Sequence, residues 1–233
     1  MQRTTTTDGT TVEALLPVAS SPVAGLVLVH EAWGLNDDIR EIARRLAEHG
    51  YAVAAPDLYS GGVRPLCLVR TLRDAMSGTV ASESVRRIGG VRRWLAGQEG
   101  VDGQRVGVMG FCMGGGFALL AAARHDFAAA AVNYGRVPQQ AEQLAGICAT
   151  VGSYGAADRN LKEDPDRLRA HLKRLRVAHE VEEYPNAGHG FLNQGLPRPL
   201  ERLLGVAYDP EAAAAAWPRM LAFLDTHLAA SSS

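Results

Sequence analysis

The chain has 233 residues, 47% of them hydrophobic and 21% charged, with 24 Lys+Arg against 25 Asp+Glu for a formal net charge of -1. That composition excludes a disordered chain and supplies no long-range field to gather nucleic acid or anionic lipid, so the expected partner is a small molecule held in a local pocket. Length points to one α/β domain over residues 1–233, since such domains commonly run to ~200–250 residues, with a frayed tail over 229–233.

The opening residues carry no apolar run of signal-peptide or membrane-span length, which points to a cytoplasmic protein that makes no membrane contact. A monomer or small homo-oligomer is expected. Cys67, Cys112 and Cys148 are odd in number and lack CxxC spacing, which argues against a disulfide framework or thiolate metal site. No metal or other cofactor is anticipated.

In chain order, Gly25–Val29 is a short β-branched run suited to a strand buried on both faces. After His30-Glu31-Ala32-Trp33-Gly34, Asn36 offers a helix N-cap, and Ile39, Ile42, Ala43 and Leu46 share one helical face. Tyr51–Ala55 reads as a strand, residues 63–79 are ambiguous, and a helix is expected from about Val80 to Leu95. Arg105–Met109 is a strand leading into the helix Phe117–Ala123. Further strands are expected at Ala128–Asn133, Ile147–Ser153 and Glu180–Tyr184, with a helix near Asp166–Arg176 between the last two. A final helix covers about Pro210–Leu228, with Trp217, Met220, Leu221, Leu224 and Leu228 on one face. This alternation predicts a doubly wound, mostly parallel sheet flanked by helices.

Ligands of such sheets sit beyond the carboxyl ends of the strands. Gly110-Phe-Cys112-Met-Gly114 has the form G-x-nucleophile-x-G between a predicted strand and helix, where small residues on either side allow a sharp turn. The turn would place the Cys112 thiol at a helix N-terminus and aim the Met113 N–H at a developing oxyanion. Asp158 and His189 follow later predicted strands. The chain order nucleophile, acid, histidine is that of α/β-hydrolases, with His189 as base and Asp158 as its orienting acid. Cys148 and Cys67 read as small buried residues. The remaining histidines read as structural or surface groups, with His30 bracing the loop beside the site.

The segments LVLVHEAWGLNDDIREIARRLAEHGYAVAAPDLYSGG, VGVMGFCMGGGFAL, GAADRN and EEYPNAGHGF make the chain resemble the dienelactone hydrolases (carboxymethylenebutenolidases) of the α/β-hydrolase superfamily. The resemblance extends over residues 25–192. It implies an α/β-hydrolase fold, a Cys112–Asp158–His189 triad, and a carboxylate at Glu31 that interacts with the resting thiol. Ala32 would supply the second oxyanion N–H. The family's best-known substrates carry a carboxylate held by two arginines. Counting back from Cys112 puts Arg70 at the first position, with Arg73 competing, whereas Asn193 occupies the second. Trp33 and Tyr134, which follow strand ends, are further pocket candidates and equally candidates for ordinary core.

A thiolate attacks well and also leaves well, so cysteine suits esters that expel a stabilised anion. The expected activity is hydrolysis of activated esters or lactones through an acyl-cysteine. The alternative is a non-catalytic member of the fold that binds a small ligand, motivated by Asn193; a thiol redox sensor ranks last.

Overall fold

The computed structural model describes residues 1–16, 22–194 and 207–229. Eight strands form one sheet: β1 (Gln2–Thr5), β2 (Thr11–Leu15), β3 (Val23–Val29), β4 (Ala52–Asp57), β5 (Val101–Phe111), β6 (Ala129–Asn133), β7 (Ala149–Gly155) and β8 (His179–Tyr184). Their order across the sheet is β1-β2-β4-β3-β5-β6-β7-β8. From β4 to β8 neighbouring strands are parallel, and β1 and β2 add an antiparallel edge.

The parallel strands are buried on both faces, which explains their continuous apolar runs. Leu26, Val27, Leu28 and Val29 of β3 have no exposed surface, and neither do Val106, Val108 and Met109 of β5. The covering helices are α1 (Asp37–Glu48), α2 (Arg64–Ser77), α3 (Glu83–Ala96), α4 (Met113–Arg124), α5 (Asp164–Leu175) and α6 (Pro210–His227). In α1 the Asn36 side chain accepts the Ile39 N–H at 3.0 Å, and Ile39, Ile42, Ala43 and Leu46 are buried, as their spacing required.

Three departures from the sequence expectation have physical causes, and a fourth, in α6, is one of detail. The β1–β2 hairpin was not anticipated, because its threonine-rich segments alternate only weakly in polarity and lie at the sheet edge. The ambiguous residues 63–79 form α2, which buries only Cys67, Thr71 and Asp74 and so lacks the inward apolar stripe that announces a helix. Helix α4 starts at Met113 rather than Phe117. Its glycines are poor helix formers in isolation, yet they let the helix lie against backbone: a Cβ on Gly115 would stand 2.7 Å from Asn133 O and 2.9 Å from Gly135 Cα. In α6, Phe223 is buried while Leu221 is only partly so. The tail 230–233 lies outside the described residues. None of the described helices is long and apolar enough to cross a membrane.

Candidate active site

Strand β5 runs into a sharp turn at Cys112, whose backbone is left-handed at φ 54°, ψ -120°, and α4 begins at the next residue. For a residue bearing a Cβ this conformation is strained, and it persists because the surroundings fix it. Cys112 N donates to Asn133 O at 3.0 Å, and Cys112 O accepts from Gly115 N at 3.0 Å. A Cβ on Gly110 would overlap the Gly114 carbonyl, and one on Gly114 would overlap the carbonyls of Val29 and His30. The two glycines thus permit strand and helix to meet at the angle that lifts Cys112 above the sheet.

Asp158 follows β7 and His189 follows β8. The loops carrying them are stitched together by Ala156 N to Tyr184 O and Ala157 N to Ala187 O, both 3.0 Å. His189 Nδ1 and Asp158 Oδ2 are 2.6 Å apart, with the Asp158 side chain only 3% exposed. A carboxylate can only accept, so Nδ1 carries the proton and Nε2 is left for other work. Asp158 Oδ1 also accepts the Asn160 N–H at 3.0 Å, which fixes the carboxylate. Burial by itself lowers the His189 pKa, but the hydrogen bond to Asp158 and the interaction with Cys112 outweigh it and carry the value to about 10.

Cys112, His189, Ala32, Met113 and Tyr134 line one cleft of about 840 Å³. Neither Ala32 N nor Met113 N has a hydrogen-bond acceptor among the described residues. The Ala32 loop is held by His30, which takes the Leu58 N–H on Nε2 at 3.1 Å and therefore donates from Nδ1 to Glu31 O at 2.6 Å. Tyr134 has φ 40°, and its ring meets the His189 ring edge-on at 5.2 Å.

The resemblance to known hydrolases is borne out by comparison. The chain matches the dienelactone hydrolase family over residues 12–228. The chain belongs to that family. A protein of Saccharolobus solfataricus named "Putative carboxymethylenebutenolidase" is 29% identical, with 93% of this chain and 95% of that protein covered. Among solved structures, a dienelactone hydrolase-like promiscuous phosphotriesterase from metagenomic libraries is 28% identical, with a TM-score of 0.82 and 97% of each chain covered. An α/β hydrolase from a Medee basin deep-sea metagenome library, 14% identical, has a TM-score of 0.72 over 98% of each chain, a likeness of fold. The fold is that of an α/β-hydrolase, and the family makes the protein a hydrolase.

Within this dienelactone hydrolase family member, other sequence-predicted residues stand differently. Glu31 is 6% exposed, and its carboxyl has no hydrogen-bond partner among the described residues, Cys112 included. Burial, reinforced by Asp38 and opposed by His189, pushes its pKa up to about 7. Asn193 is not on the cleft wall. Its Nδ2 donates to Asp38 Oδ2 at 2.8 Å and its Oδ1 accepts the Tyr134 hydroxyl, so the amide ties a loop to α1. Trp33, 48% exposed, and Arg70 also lie off the cleft lining, although Arg70 Nε and Nη2 are buried with no partner among the described residues.

Arg136 is a lining residue that the sequence reading missed, and it is the one permanently charged side chain among the described residues of the cleft wall. Its signal was its place just after β6, two residues beyond Tyr134. Among the described residues no group of three or more His, Cys, Asp or Glu is arranged to hold a metal ion.

Proposed function

We propose that the protein hydrolyses activated carboxylic esters or lactones through Cys112, with His189 as general base and acid and Asp158 as its orienting partner. His189, whose raised pKa keeps Nε2 protonated at neutral pH, holds the proton given up by Cys112 before Sγ bonds to the substrate carbonyl carbon and the carbonyl electron pair moves onto oxygen. The N–H groups of Ala32 and Met113, both without competing acceptors, receive that oxyanion. Collapse breaks the bond to the leaving group, which takes the proton from Nε2. Water then gives a proton to Nε2 and attacks the acyl-cysteine, and the sulfur departs and is reprotonated.

Asp158 stabilises the imidazolium formed in each half of this cycle. Glu31 acts through His189: its negative charge, when present, favours the same imidazolium. The observation that carries the reading is the 2.6 Å Asp158–His189 bond beside a cysteine held in a left-handed strand-to-helix turn. The family membership and the order of the three residues support it.

The test is turnover of p-nitrophenyl acetate with mass spectrometry of the quenched enzyme. Wild type is expected to hydrolyse the ester and to carry an acetyl group on Cys112, and Cys112→Ala to do neither. Full turnover by Cys112→Ala would sink the mechanism. Cys112→Ser is expected to shift preference toward esters with poorer leaving groups, because an alkoxide leaves less readily than a thiolate.

A further inference from the structure

The cleft is much larger than the residues around Cys112 require. Its volume of about 840 Å³ is near the top of the range of ~300–1,000 Å³ for pockets that enclose drug-sized ligands. Away from Cys112 its walls are mainly apolar: Leu72, Ala75 and Met76 from α2, Phe117 and Leu120 from α4, and Val137 after β6. At one end Gln143 Nε2 donates to Gly78 O at 3.2 Å, so two lining residues bridge α2 to the segment after β6. Arg136 is exposed and stands alone as a fixed charge on the described wall.

Helix α2 continues this apolar surface outside the cleft. Leu66 is 68% exposed, Val69 65% and Met76 81%, on the side opposite buried Cys67, Thr71 and Asp74. Met76 belongs both to this outward face and to the cleft wall. A small polar lactone would leave most of these walls unfilled, whereas a long alkyl or aryl group would remove them from water.

We infer that the space between α2 and α4 is an arm for a large apolar group, so that the substrates are esters whose acyl or leaving half is a medium-length alkyl chain or an aromatic ring system. This rests on the proposed reaction at Cys112. Ala75 and Leu72 are the specificity-determining positions, because their side chains set the width of the arm from the α2 side.

The experiment measures kcat/KM for p-nitrophenyl esters from acetate to octanoate, below their critical micelle concentrations, and for phenyl against naphthyl acetate. Each methylene buried in the arm is worth up to about fourfold, so octanoate is expected to exceed acetate by more than about tenfold, or naphthyl to exceed phenyl acetate comparably. Ala75→Phe, which fills the arm, is expected to lower the favoured ratio about tenfold. Should that variant unfold, Leu72→Ser, at a position 39% exposed, reads the same ratio. Flat dependence in both series, or a ratio that neither substitution moves, overturns the inference. If Cys112→Ala keeps its turnover, the proposed mechanism fails and the arm is read without chemistry: octanamide should then bind Cys112→Ala more tightly than acetamide, and equal binding overturns the arm as well.

Discussion

Replacing Asp158 by Asn tests whether the 2.6 Å contact to His189 does the work assigned to it. The substitution keeps the shape and removes the charge from a side chain that is 3% exposed, so water cannot take its place. A hydrogen bond to a charged group is worth about 1.5–3 kcal/mol, which converts to roughly 10- to 150-fold in rate. The Asn amide can also donate to Nδ1, which moves the imidazole proton to Nε2 and removes the base from its position, so the combined loss in kcat/KM is expected to reach roughly 10³-fold. The assay is p-nitrophenyl acetate hydrolysis from pH 5 to pH 10, paired with NMR titration of His189. In wild type the imidazole should titrate near 10 and in the variant lower, since the bond and charge of Asp158 are gone and Cys112 alone is left to oppose the effect of burial. Stability supplies a second readout with a definite sign. A histidine whose folded pKa is raised contributes stability that is fully present below its ordinary value of 6.5 and lost as pH rises through about 10. Asp158→Asn should therefore lower Tm most below pH 6.5 and least at pH 10. A loss under about tenfold, with His189 still titrating near 10, would refute the assignment.

Glu31→Gln should raise Tm at pH 8. A buried carboxyl whose pKa rises from 4.5 to about 7 loses stability as pH climbs between those values, on the order of 3 kcal/mol, and the amide has no such dependence; equal pH profiles by calorimetry would contradict this. Gly114→Ala forces a Cβ onto two backbone carbonyls in β3 and the loop after it, neither able to yield cheaply, and should cost about 3 kcal/mol or more in urea unfolding. Tyr134→Phe removes the hydroxyl from Asn193 Oδ1, for an expected loss of about 1–3 kcal/mol, while Cys112 should still be acylated by p-nitrophenyl acetate; unchanged unfolding would show that bond to be idle.

Legibility of the molecule followed how locally each feature is encoded. Helix α1 could be read to its cap because Asn36, two aspartates and an apolar stripe lie within eleven residues and report the same interaction. The turn at Cys112 could be read because its glycines serve one steric purpose within five residues. Helix α2 could not, since its apolar side chains face outward and a polar set is buried: Thr71 bonds the Leu58 carbonyl, and Asp74 accepts from Ser84. The cleft walls were equally hidden, because Leu72, Leu120 and Val137 meet only after three separate elements pack. Asn193 shows the same limit from the other side. Its place in the chain suggested a ligand contact, while its actual partners, Asp38 and Tyr134, are 155 and 59 residues away.

The loops carrying Cys112, Asp158 and His189 leave three strands, and β6 lies between the first two of them in the sheet. No contiguous fragment holds even a rudimentary version of this constellation, so a partly denatured molecule has nothing weaker to fall back on. Ester turnover and far-ultraviolet ellipticity should collapse together at one denaturant concentration, which makes enzymatic competence a direct gauge of the folded population.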